Sequence, residues 1–77
     1  MNKARRKNIQ DVVGQLEDLK SALEDVLHEE EEYRDNIPEN LQGSERYEKA
    51  DEACDTLSGA VDDLEDIITS LGELAEG

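Results

Sequence analysis

Tryptophan and phenylalanine are absent, and the aromatic content is 3% against 39% charged residues. Composition of that kind is common in disordered chains, so the spacing of the apolar residues has to decide whether the chain folds. The single cysteine, Cys54, cannot close an intrachain disulfide. That excludes a disulfide-stapled secreted scaffold and points to a reducing cytoplasm. No apolar run approaches the ~18 residues of a membrane span, and no signal-peptide apolar segment follows the basic start. Cations are scarce too: 8 Lys and Arg stand against 22 Asp and Glu, for a net charge of -14. A surface this negative excludes direct binding of nucleic-acid phosphates as the main activity and is repelled by anionic membranes.

What is present is regular. Apolar residues fall at Ile9, Val12, Leu16, Leu19, Leu23 and Val26, and the same steps of three and four continue to Glu30, Tyr33 and Ile37. A second run takes in Tyr47, Ala50, Cys54, Leu57, Val61, Leu64, Ile68, Leu71 and Ala75. Alternation of three and four averages 3.5 residues per turn, the signature of a coiled-coil seam. The 77 residues are therefore expected to form one all-α domain of two helices, about 3–35 and 44–75, joined by a corner at 36–43. Pro38 disfavours helix at Ile37 and ends the first helix near Asp35. Ser44 suits the N-cap of the second, with Glu45 and Glu48 favourably placed at the positive end of its dipole. Ile37 and Leu41 are expected to fold over the end of the hairpin, and helix 2 is expected to fray after Leu71, before Gly72.

A short corner makes the helices antiparallel. If the two runs form the seam, partners have numbers adding to 80, which sets Val26 against Cys54, Leu23 against Leu57 and Val12 against Ile68. Further apolar residues lie outside these runs: Ala53, Ala60, Ile67 and Leu74 on helix 2, and Val13, Ala22 and Leu27 on helix 1. A stripe wider than a two-helix seam implies a third contact surface. Two occupants fit it: a second copy, giving a homodimeric four-helix bundle, or a helix of another protein.

All 22 acids follow residue 8, while four of the eight cations, Lys3, Arg5, Arg6 and Lys7, precede it, so residues 8–77 carry -18. In a hairpin the basic start lies beside the end of helix 2, near Asp66, Glu73 and Glu76, and pairing across that end competes with a role as a nucleic-acid arm. The acidic features are Glu29, Glu31 and Glu32 in the run around Glu30, and Asp62, Asp63, Glu65 and Asp66. Mixed-sign helix faces gain ~0.2–0.5 kcal/mol per i,i+4 pair, whereas these neighbours repel one another and oppose compaction. Helices of ~30 residues are ~45 Å long. Eighteen net charges on such a rod come to one per ~2.5 Å, against one per ~1.7 Å for duplex DNA. The acidic surface could thus occupy a basic channel built for nucleic acid.

Catalytic chemistry finds little to work with. His28 is the only histidine and is expected on the outer surface, with no second base or nucleophile near it. Cys54 occupies a seam position that suits a small buried hydrophobe, with a contact across a dimer as the alternative. Zinc would have one Cys and one His, and no calcium-loop, phosphate-loop or nucleotide motif occurs. No catalytic, cofactor or metal site is expected. Gly14 and Gly59 fall mid-helix, each at a cost of ~1 kcal/mol relative to Ala. They are either tolerated there or admit a partner's backbone.

The basic start Lys3-Ala4-Arg5-Arg6-Lys7, the acidic run ending in Tyr33, the corner Asp35-Asn36-Ile37-Pro38-Glu39-Asn40-Leu41 and the following Ser44-Glu45-Arg46-Tyr47 form a distinctive layout. Together with the Ala50, Ala53, Leu57, Ala60, Leu64 spacing, it resembles the small acidic helical-hairpin proteins of Gram-positive phages, prophages and mobile elements. The resemblance implies no catalytic residues. It implies a bacterial host and a class of genes that often encode modulators of host or defence machinery, including anti-CRISPR proteins. The expectation is a cytoplasmic, non-catalytic binding protein that engages a basic, nucleic-acid-binding protein such as a nuclease by mimicking nucleic acid. A structural protein acting through bundle assembly is the alternative.

Overall fold

The computed structural model describes all 77 residues, as α1 (Lys3–Asp35), a 3-10 turn (Glu39–Leu41) and α2 (Glu45–Glu76), with no strand. The two helices pack antiparallel into a rod 59 Å long and 15 by 12 Å in section. The rod is longer than the ~45 Å expected from helices of ~30 residues. Fourteen net charges along 59 Å come to one per about 4 Å, sparser than duplex DNA at ~1.7 Å.

Local chemistry accounts for the boundaries. The Asn2 side chain accepts from the Arg5 amide at 2.7 Å and caps α1, while the Ser44 hydroxyl accepts from the Tyr47 amide at 3.3 Å and caps α2. These bonds satisfy amides that the first helical turn leaves without intrahelical partners. Helix α1 stops at Asp35, three residues before Pro38. Ile37 is buried beneath the corner, whereas Leu41 stays exposed, so only the first of the two expected corner residues closes the hairpin end. Helix α2 runs on to Glu76, through Gly72 rather than ending at Leu71, and Ala75 is buried.

The seam of α2 is the expected one, and Ala50, Cys54, Ile68 and Ala75 are its buried members. Helix α1 departs from expectation. Val12, Leu19, Val26 and Tyr33 are exposed, Leu19 at 61%. The half-buried residues instead include Ile9, Val13, Leu16, Lys20, Leu23, Leu27, Glu30 and Arg34, with Arg6 one turn before them and Glu24 and Glu31 beside them on one flank. The run from Ile9 to Arg34 is also a strict alternation of three and four. It shares Ile9, Leu16, Leu23, Glu30 and Ile37 with the expected run and replaces each intervening residue by its successor.

Two ion pairs accompany this face of α1 and show its register. Lys20 Nζ lies 2.7 Å from Glu65 Oε2, and Arg34 Nη1 lies 3.0 Å from Asp51 Oδ1. In both pairs the residue numbers add to 85, which with the two half-buried runs sets seam layers whose numbers add to 84, not 80. Leu27 is level with Leu57, Leu23 with Val61, Leu16 with Ile68 and Glu30 with Cys54. A purely apolar count favours the Val12–Tyr33 stripe. The structure places two long side chains whose stems line the seam and whose charged ends reach acids on the facing helix. Val13 and Leu27 consequently belong to the hairpin seam and not to the outer apolar stripe.

Candidate functional site

With seam positions lettered a (Val13, Lys20, Leu27, Arg34; Cys54, Val61, Ile68) and d (Leu16, Leu23, Glu30; Leu57, Leu64, Leu71), the remaining residues sort onto two sides. Chain reversal puts the e positions of both helices on one flank and the g positions on the other. The g positions are Val12, Leu19, Val26 and Tyr33 on α1. On α2 they are Arg46, Ala53, Ala60, Ile67 and Leu74. Arg46 Nε donates to the Tyr33 hydroxyl at 2.6 Å, with its guanidinium 5.4 Å from the ring centroid, tying the two g rows together near the corner. Both interhelical ion pairs lie on the opposite, e flank.

Charge divides along the same line. Positions e and b of the two helices, which form one face, carry ten of the 22 acids, with Lys3 and Lys7 as their only lysines and no arginine, and the f positions along the two outer edges carry eight more. Positions c and g, which form the other face, carry two acids, Glu29 and Asp63, and three cations, Arg5, Arg46 and Lys49. The molecule thus has an acidic side and an apolar side of almost no net charge, although the whole chain stands at -14.

The expected acidic residues split accordingly. Glu31, Asp62 and Glu65 lie on the acidic side, Glu32 and Asp66 on the two outer edges, while Glu29 and Asp63 sit at the edge of the apolar face. They do not form one cluster. Glu31 is level with Ala53 and Glu65 with Leu19, a separation of twelve positions or ~18 Å at 1.5 Å per residue. Glu24, Asp25 and Asp55 fill the interval. Their place follows from the e, f and b positions once the seam is known, but not from runs of consecutive acids. Glu65 is already engaged by Lys20, whose pKa is raised above 10.5 by that hydrogen bond and the fields of Glu65 and Glu24, against partial desolvation. Arg34 likewise has its pKa raised, first by its hydrogen bond to Asp35 and then by that to Asp51.

Of the expected outer stripe, Ile67 and Leu74 are exposed and Ala53 and Ala60 half-buried. The larger part of that face comes from α1, through the residues that the sequence had assigned to the seam. At the open end of the hairpin Arg6 Nη2 donates to the Gly77 carbonyl at 2.9 Å. The basic start therefore meets the end of α2, through a backbone oxygen rather than through Asp66, Glu73 or Glu76. A shallow hollow there is lined by Lys3, Ala4, Arg6, Lys7, Gln10 and Ala75, at the open end of the acidic side.

His28 is exposed, and no three His, Cys, Asp or Glu residues are grouped closely enough to hold a metal ion. Cys54 is 3% exposed, and burial raises its thiol pKa, with Glu30, Glu31 and Asp51 adding to the rise and Arg34 opposing it. Neither helix is long and apolar enough to cross a membrane. The chain matches no protein-family model, and no curated protein or solved structure shows significant similarity to it.

Proposed function

We propose that the protein is a non-catalytic, cytoplasmic binding protein whose acidic side engages a basic protein surface in competition with nucleic acid. The observation that carries this reading is the separation of charge: ten acids on the e and b flank of the rod and eight along its outer f edges, against two on the c and g flank. Repulsion along the acidic side works against the fold, and a partner lined with Lys and Arg relieves it. A nuclease or other nucleic-acid-binding protein of a bacterial host is the partner class in question, a CRISPR or other defence nuclease among them. That choice draws on the resemblance to phage and mobile-element hairpins.

The acting form in this reading is a pair of hairpins joined as a four-helix bundle. One rod carries a charge per about 4 Å. Two side by side, with 28 net charges along 59 Å, carry one per about 2 Å, close to the ~1.7 Å of duplex DNA.

The test is capture of partners from bacterial lysate on the immobilised chain, followed by elution with duplex DNA or guide RNA. Many carboxylates meeting Lys and Arg make affinity fall steeply with salt. Charge reversal at Asp62 and Asp66, which leaves the Lys20–Glu65 pair intact, is expected to slow association. A captured partner that holds through high salt and binds DNA at the same time overturns the reading and favours the alternative of a structural assembly protein.

A further inference from the structure

We infer that the apolar face docks a second copy of this chain in antiparallel orientation, about a two-fold axis passing beside Ala22 and Asp63. The inference rests on the two-hairpin part of the proposed function and assigns its surface and arrangement.

Three observations select a second copy as the occupant. The first is charge. A chain of -14 is repelled by its own kind everywhere except where acids are missing, and this face has three cations against two acids. A basic partner would be recruited by the other side. The second is area. The apolar rows from Val12 to Tyr33 run about 32 Å, which with the 15 Å width of the rod gives a strip of about 480 Å² per copy, the scale of a weak two-copy contact rather than the ~800 Å² per partner of a standard one.

The third is size along the face. Rungs between the g rows place Val12 beside Leu74 and Leu19 beside Ile67 toward the open end. Toward the corner, Val26 lies beside Ala60 and Tyr33 beside Ala53. The open half is therefore full and the corner half has its alanines. Stacking two copies with like ends together would put four large side chains at one level and two alanines at another.

Reversing one copy evens this out. Leu19 then lies over Val26 of the second copy, and Ile67 over its Ala60. Val12 meets Tyr33 of the second copy, and Leu74 its Ala53. Every level receives three larger residues and one alanine, as close packing of a bundle core requires. The same reversal sets Gln15 near Glu29 of the second copy and Thr56 near its Ser70. Such an interface is isologous and closes at two copies. Its one like-charge meeting is Asp63 with Asp63 of the second copy, close to the axis.

Light scattering at about 100 µM is expected to give twice the 8.6 kDa chain mass. Leu19→Glu or Ile67→Glu is expected to weaken association at least about tenfold with the helical signal retained, whereas Ser21→Glu, on the acidic side, leaves it unchanged. Asp63→Asn is expected to tighten association several-fold. On a Cys54→Ala background, Ala22→Cys joins two copies under mild oxidation and Ser21→Cys does not. The Ala22 variant changes an exposed small residue, so it decides the matter even if a glutamate variant unfolds. A dimer that ignores Leu19→Glu and Ile67→Glu, or in which Ala22→Cys stays unlinked, overturns the assigned face and direction and leaves the two-hairpin reading intact. A wild-type mass of one chain overturns both, while displacement by nucleic acid still judges the acidic side alone.

Discussion

Cys54 and Lys20 illustrate how single residues tie this fold to pH. The Cys54 thiol is enclosed by the seam opposite Glu30, and burial holds its proton to higher pH than the ordinary 9.0. Stability from keeping it neutral is complete below that value and is lost as pH rises through the folded-state value. Lys20 has the same sign for a different reason, since its pairing with Glu65 stabilises the charged form and persists to a pH above 10.5. Alkaline unfolding monitored by circular dichroism is therefore expected to begin at lower pH in the wild type than in Cys54→Ala. In Lys20→Met the later component is absent. At pH 8 iodoacetamide is expected to leave Cys54 unmodified in the folded chain and to label it readily in urea. Rapid labelling without denaturant would contradict its enclosure.

Among the elements, α2 was legible from sequence except for its last turn and the corner except for Leu41, and α1 was legible only as a helix. Its boundaries follow from Pro38 and the apolar period, and the Ser44 cap from its side chain. The face of α1 does not follow, because Ile9, Leu16, Leu23, Glu30 and Ile37 serve two candidate seams equally. Counting apolar residues favours Val12, Leu19, Val26 and Tyr33. The partners of Lys20 and Arg34, Glu65 and Asp51, are remote in sequence and identifiable only when the register is known. The acidic side was hidden by the same ambiguity, since Glu24 and Asp55 belong to it by helical position rather than by adjacency.

Two measurements separate these seams. On a Cys54→Ala background, Leu23→Cys with Val61→Cys is expected to cross-link within one chain, while Leu23→Cys with Leu57→Cys is not. Ile68→Ala, at a buried position, is expected to cost about 2–4 kcal/mol, most of what a domain this small holds, roughly 3–5 kcal/mol. Leu19→Ala is expected to leave the unfolding of a dilute single chain nearly unchanged. A comparable loss from both substitutions would restore the apolar-count seam.

For the whole molecule, repulsion among 22 acids is the term most open to outside control. Raising salt from about 0.01 M to about 0.5 M shortens the screening length from ~30 Å to a few ångströms. The midpoint of thermal unfolding is expected to rise over that range, because the screened repulsions outnumber the two interhelical ion pairs. A fall in midpoint would mean that those pairs outweigh the acidic side.

The corner also sets the order in which the molecule comes together. Arg34 and Asp51 are separated by seventeen residues and joined by an ion pair, so closing the chain there requires a short loop, and loop closure grows costlier with length. Each further layer lies one turn beyond a pair already formed and closes no new loop of its own. Folding is therefore expected to run like a zip from Ile37 toward Ala75, and opening to run the other way. Amide exchange records that gradient directly: protons near Ile9 and Leu71 exchange first, and those flanking Leu27 and Leu57 last.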